Sequence, residues 1–159
     1  MHYNILFAVA VIFCSHSVNA IEFKNCGSYF LFDNIQIEGC DDDATSCQLT
    51  IGSNTSISFT INTGKPYDEF NIDAALLNDV SLNVRGTKFN LNVTPDDPCE
   101  VLLCPLSTNY SATYSAEVYI DTIFQPLNAE LQWILETADA GEKLLCFLCQ
   151  ITLVNAKSV

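Results

Sequence analysis

Cysteine is the most reactive residue type that this sequence uses repeatedly. Of its eight cysteines, Cys14 lies in an N-terminal apolar run and seven follow it. In an exported chain, seven cysteines predict a disulfide framework with one thiol left over. Two pairs are close in sequence, Cys40 with Cys47 and Cys99 with Cys104, and each could close a short loop. The seven cysteines are Cys26, Cys40, Cys47, Cys99, Cys104, Cys146 and Cys149.

Spacing alone does not fix how these cysteines pair. A bridge between Cys26 and Cys146 would tie the first strand to the last. Zinc binding is the competing interpretation, since Cys146 and Cys149 form a C-x-x-C motif. That motif does not recur and has no histidines beside it, whereas structural zinc sites need four ligands. We therefore expect disulfides, with no metal and no other cofactor.

Catalytic machinery based on histidine is excluded from most of the chain. The two histidines are His2 and His16, both inside the N-terminal leader described below, so neither Ser-His nor Cys-His catalysis can operate after its removal. The acidic clusters are 41–43 and 96–97. Both lie in loops beside the local cysteine pairs, where a solvated surface or a weak Ca²⁺ contact is expected rather than catalysis. An exported enzyme with paired carboxylates remains an alternative, but we expect no enzyme.

The N-terminus predicts export. Residues 5–14 form an apolar run of ten residues, too short to span a bilayer as a helix. Val18-Asn19-Ala20 then provides the small residues of a cleavage site. We expect a signal peptide over residues 1–20 and one domain over 21–159, secreted to the extracellular space; a lysosomal destination stays open.

The charge of the chain limits the classes of molecule that it can bind. Six basic and nineteen acidic residues give a net charge of −13, which repels phosphate backbones and excludes nucleic acid as a partner. Export also makes the sequons at Asn54, Asn92 and Asn109 candidate glycosylation sites. Asn92 should point outward, because Leu91 and Val93 flank it on the opposite face of a strand.

Alternation of apolar and polar residues predicts an all-β fold. About seven half-buried strands suggest two antiparallel sheets packed face to face, or a barrel. Residues 69–84 could form a short helix or a strand. The inward residues could build either a solid core or an apolar pocket, and alternation does not distinguish the two.

The order of the motifs resembles the ML lipid-recognition domain family, and within it the branch of soluble Niemann-Pick type C sterol-transfer proteins. The similarity covers residues 22–154. No single motif is specific, but the ordered set is. It comprises Glu22-Phe23-Lys24-Asn25-Cys26-Gly27-Ser28, Cys40-x6-Cys47, Cys99-x4-Cys104-Pro105, Trp133-Ile134-Leu135 and Gly141-Glu142-Lys143-Leu144-Leu145-Cys146.

This resemblance implies an immunoglobulin-like β-sandwich with an apolar pocket between its sheets. It implies the bridges Cys26–Cys146, Cys40–Cys47 and Cys99–Cys104, which leaves Cys149 as the free thiol. The implied ligand contacts lie on two strands: Phe89, Leu91, Val93, Ile120 and Phe124. Further implied lining residues are Ile57, Phe59, Leu131, Trp133 and Phe147.

The resemblance also implies a function. The expected protein is a monomeric, non-enzymatic carrier of a sterol, fatty acid or similar apolar lipid, delivered to a membrane receptor or transporter. The alternative is a co-receptor or immune-recognition protein that presents its lipid. An empty rigid pocket of about 400 Å³ would cost on the order of 10 kcal/mol, so we expect the pocket to be collapsed or filled with lipid.

Overall fold

The computed structural model describes residues 22–40, 47–64, 75–107 and 109–156. Within them the chain forms ten strands and one short 3₁₀ helix. The leader expected at 1–20, the acidic cluster at 41–43 and residues 69–74 lie outside the described residues. The strands are β1 Phe23–Asn25, β2 Leu31–Ile37, β3 Cys47–Thr50, β4 Asn54–Asn62, β5 Leu76–Val84, β6 Thr87–Asn90, β7 Asn92–Thr94, β8 Ser111–Tyr119, β9 Leu127–Thr137 and β10 Lys143–Val154, with the 3₁₀ helix at Pro98–Glu100.

The strands form two sheets that pack face to face. The first sheet has the order β1-β10-β9-β5-β6, and the second has the order β2-β4-β8-β7. The β-sandwich predicted from the sequence is therefore present. One pairing departs from the antiparallel pattern, since β3 runs parallel to β10, with Cys47 opposite Ile151. The chain passes from β2 in the second sheet to β3 in the first sheet. No hairpin therefore joins β3 to β10, and nothing forces this pair to be antiparallel.

Strict alternation explains why these segments become strands with one buried face. In β4, Ile57, Phe59 and Ile61 are buried between half-buried Ser58 and Thr60. Strand β8 repeats this pattern, as do β9 and β10 outside the fully buried runs 133–135 and 144–147, and their inward side chains fill the space between the sheets. Because the side-chain period of a strand is two, a slip of one residue would expose this whole apolar set.

Three sequence expectations about strands are changed by the structure. Ile120 and Phe124, expected together on one strand, lie in the connection between β8 and β9. The ambiguous segment is a strand from Leu76 onward, paired with β9 along its length. The single strand predicted through Phe89, Leu91 and Val93 is instead two strands, β6 in the first sheet and β7 in the second. The break falls at Leu91, whose backbone N–H donates to the carbonyl of Val80 at 2.8 Å while the chain crosses between sheets.

The disulfides hold the edges of the sandwich. Cys26 pairs with Cys146, and the local pairs Cys40–Cys47 and Cys99–Cys104 close short loops. This is the pairing that the family resemblance implies. Among the described residues, no helix is long and apolar enough to traverse a lipid bilayer.

Candidate lipid-binding site

The two sheets share one edge, where β6 ends and β7 begins. Strand β6 is the outer strand of the first sheet, and β7 is the outer strand of the second. Leu91 joins them and is half-buried. An opening between two packed sheets must lie at an edge where their facing residues can be reached, and this crossing is one such edge. Two cavities flank it.

The first cavity is small and aromatic. Its volume is about 100 Å³, and Phe89, Leu91 and Phe124 contribute to its wall. The rings of Phe89 and Phe124 meet edge to face, with centroids 5.5 Å apart. Ile123 lies beside them and is 71 % exposed. The carboxylate of Asp121 accepts the backbone N–H of Ile123 at 3.0 Å, which fixes the loop that carries this apolar rim.

The second cavity is an open groove of about 520 Å³ on the other side of Leu91. Val93 and Asn78 line it together with Leu91. Its outer rim is polar, with Asp96 and Glu100 among the lining residues. The groove is therefore lined by exposed carboxylates and by the half-buried side chains of Leu91, Val93 and Asn78.

The remaining predicted contacts lie in the closed interior. Each is 0 % exposed, so none borders a space that a water molecule could enter. The rings of Phe59, Trp133 and Phe147 contact one another, with Phe59 centred 5.6 Å from Trp133 and 5.5 Å from Phe147. They form a packed core. The residues placed there are Ile57, Phe59, Ile120, Leu131, Trp133 and Phe147.

Tyr114 and Asn78 form a polar contact across the two sheets that sequence analysis did not select. Asn78 Nδ2 donates to the hydroxyl oxygen of fully buried Tyr114 at 2.7 Å. Burial raises the pKa of Tyr114, the hydrogen bond from Asn78 lowers it, and the charge of Asp97 raises it further. Asn78 was missed because it falls in the ambiguous segment 69–84. The inward alternation of Leu76, Asn78 and Val80 is the signal that could have found it.

The predicted glycosylation sites are accessible. Asn54, Asn92 and Asn109 are all exposed. Asn92 lies on β7 between half-buried Leu91 and Val93, in the outward orientation that the alternation predicts. Their modification stays a prediction.

Two further reactive groups, the free cysteine and the second acidic cluster, each have a defined environment in the fold. Among the described cysteines, Cys149 is the one outside a disulfide, and it is buried. Asp97 from the second acidic cluster accepts the backbone N–H of Cys99 at 2.8 Å and caps the 3₁₀ helix. In the described ranges, no three His, Cys, Asp or Glu side chains are grouped so that they could hold a metal.

Comparison with known proteins decides the family. The family model described as the ML domain matches residues 20–153. The chain belongs to the ML domain family. The resemblance drawn from the ordered motifs is therefore confirmed.

A solved structure shows how far this ML domain shares its fold. The chain is similar to the crystal structure of a Niemann-Pick type C2 protein from the Japanese carpenter ant, with a TM-score of 0.69. The match covers 84 % of this chain and 99 % of the ant chain at 17 % sequence identity, which shows the fold alone. No curated protein matches the sequence significantly. As a lipid-recognition fold, the ML domain supports lipid binding in general.

Proposed function

We propose that this ML domain is a secreted, non-enzymatic carrier that binds one apolar lipid, a sterol or a fatty acid, between its two sheets. The lipid enters at the crossing from β6 to β7. The observation that supports this entrance is the pair of cavities on either side of Leu91. Together the two cavities are lined by Phe89, Leu91, Val93 and Phe124. These four belong to the five primary expected contacts, and all four are half-buried, whereas the fifth, Ile120, is fully buried.

The packed interior supports a pocket that opens when lipid enters. A sterol or long acyl chain needs several hundred cubic ångströms, more than the small aromatic cavity offers. A permanently empty space of that size would cost a free energy close to the whole stability of a domain. Separation of the sheets at the Leu91 edge exchanges core contacts for lipid contacts, at about 25 cal/mol for each Å² of apolar surface kept from water.

The remaining sequence features fit a carrier that works outside the cytosol. Three disulfides suit an oxidising compartment, and three exposed sequons suit a chain that passes through the secretory pathway. We infer that residues 1–20 are removed as a signal peptide and that the mature domain acts as a monomer. A net charge of −13 keeps it in solution and away from anionic membranes, so delivery would depend on a receptor or transporter.

Lipid binding can be tested at the groove with one matched pair of variants. Val93→Phe should fill the space beside Leu91 and weaken binding of a fluorescent sterol or a fluorescent fatty acid by about tenfold, which corresponds to roughly 1.4 kcal/mol. Thr113→Phe is the control, since Thr113 lies on the outward face of β8 in the same sheet. Saturable binding to the wild type and to Thr113→Phe, weakened in Val93→Phe, supports the proposal. If the wild type binds neither probe, the carrier function is wrong.

A further inference from the structure

Two buried polar atoms in the interior have no hydrogen-bond partner among the described residues. They are the side-chain oxygen Oδ1 of Asn78 and the indole nitrogen Nε1 of Trp133. Such an atom typically costs about 1–3 kcal/mol when it is left unpaired away from water. An acceptor and a donor left unpaired in the same region of a core therefore require an explanation.

The two atoms belong to side chains that share one face of one sheet and one neighbour. Asn78 lies opposite Leu135, and Trp133 lies opposite Val80 on the adjacent strand, so Asn78 and Trp133 are diagonal neighbours. Such positions are close enough for long side chains to meet. Both contact Tyr114 on the facing sheet. Asn78 Nδ2 lies 2.7 Å from its hydroxyl oxygen, and the ring centroid of Trp133 lies 6.0 Å from that of Tyr114.

Together these groups match the hydrogen-bonding capacity of an alcohol. Trp133 offers an N–H donor and Asn78 offers an acceptor. The Tyr114 hydroxyl accepts from Asn78 and keeps its own proton for donation. An alcohol oxygen can accept a hydrogen bond from Trp133 or Tyr114 while its own O–H donates a hydrogen bond to Asn78 Oδ1. We propose that Asn78, Tyr114 and Trp133 form a buried polar site that binds the hydroxyl group of a neutral lipid alcohol, an assignment that rests on the proposed carrier function.

The site meets the open groove at Asn78. Asn78 is part of the groove wall together with Leu91 and Val93, whereas Trp133 and Tyr114 are fully buried. The hydroxyl group of a lipid that enters beside Leu91 would therefore reach Trp133 and Tyr114 only when the two sheets separate there. The apolar body of the lipid would then lie against the aliphatic side chains nearer the rim.

The surroundings disfavour an anionic head group at the same place. A carboxylate has no proton to donate, so its charged oxygen would face the partial negative charge of Asn78 Oδ1. Burial raises the pKa of Tyr114 although the hydrogen bond from Asn78 lowers it, so burial opposes a negative charge at this point. The site should therefore select a sterol or a fatty alcohol over an ionised fatty acid.

Two series of lipids that differ only in the head group test this assignment. In one series the probes are cholesterol, its methyl ether and cholestane; in the other they are hexadecanol, hexadecyl methyl ether, hexadecane and hexadecanoic acid at pH 7. Each probe displaces a fluorescent lipid from the wild-type protein. In at least one series the alcohol should bind about tenfold more tightly than its ether, because the ether lacks the proton that Asn78 accepts. Hexadecanoic acid should bind more weakly than hexadecanol.

Variants and one spectroscopic signal identify the residues responsible. Asn78→Leu should reduce the alcohol-to-ether ratio to about one while it leaves alkane binding unchanged. Tyr114→Phe should reduce the alcohol-to-alkane ratio. Tyr110→Phe is the control, since its hydroxyl group contacts the backbone of Leu103 outside the site. In the wild type the single tryptophan gives one indole N–H resonance, which should shift on saturation with the alcohol but not with the alkane.

The outcomes separate the two proposals. If alcohol, ether and alkane bind equally and the indole resonance does not respond to the head group, the polar site is wrong and the carrier function stands; a site that holds only a water molecule would give this result. Tighter binding of hexadecanoic acid than of hexadecanol would also overturn the assignment. If no member of either series displaces the fluorescent lipid, both proposals are wrong.

Discussion

Burial sets the chemistry of two inward-facing side chains, Tyr114 and Cys149. It raises the pKa of Tyr114 and raises that of the Cys149 thiol from 9.0 to about 11. Both groups are therefore neutral at physiological pH. Tyr114 keeps its proton for hydrogen bonding, and Cys149 packs as a small apolar side chain rather than acting as a nucleophile. The same burial that makes the interior suitable for lipid thus removes reactivity from it.

Cys149 should make the stability of the fold sensitive to alkaline pH. Its pKa is higher in the folded state, so its contribution is fully present below pH 9 and is lost as the pH rises towards 11. The loss should reach about 2 kcal/mol of unfolding free energy. In Cys149→Ala this part of the decline should disappear, whatever the variant loses in packing at neutral pH. Urea unfolding between pH 8 and 11 measures how the unfolding free energy of the wild type and of Cys149→Ala falls with pH. An equal fall in both proteins would contradict the role given to Cys149.

At the scale of elements, the short strands β6 and β7 determine where the sandwich can open. Each is an edge strand, and each pairs with only one neighbour in the described sheets. Strands β4, β9 and β10 lie inside their sheets and carry the packed aromatic rings. Separation of the sheets should therefore begin at β6 and β7, because few ladder hydrogen bonds and half-buried side chains resist it there.

This difference between edge and interior predicts effects of different size on stability for two similar substitutions. Val93 is half-buried beside an open groove, so Val93→Phe should change the unfolding free energy of delipidated protein by about 0.5 kcal/mol or less. Ile120 is 0 % exposed, so Ile120→Phe should overpack the closed core and cost about 1–3 kcal/mol. Alternation alone would place Val93 and Ile120 in one pocket, which either added ring would fill.

Denaturant titration of the two variants against wild type measures these changes. Thr113→Phe on the outward face of β8 controls for the added ring. Equal stability of Val93→Phe and Ile120→Phe would show that the interior is not packed as described. A large loss in Val93→Phe would show that the groove is closed in solution.

At the scale of the whole molecule, the sequence predicted the two-sheet sandwich and its family. Strict alternation in β4 and β8 marks buried faces whatever the neighbouring strands are, and the ordered cysteines mark the chain's ends and loops. The crossing at Leu91 could not be predicted, because an unbroken alternation from Phe89 to Val93 continues across two different sheets. The polar contact of Asn78 with Tyr114 was also missed, since it depends on how two distant strands face each other.

The central claim is that the sandwich holds a lipid between its sheets, and native mass spectrometry tests it most directly. The protein is expressed in eukaryotic cells, purified without detergent and measured intact, then delipidated and exposed to a total lipid extract. We predict a bound mass of one lipid for each chain, present on purification or regained from the extract, and depleted in Val93→Phe but not in Thr113→Phe. Only the bare protein mass under both conditions would contradict the account.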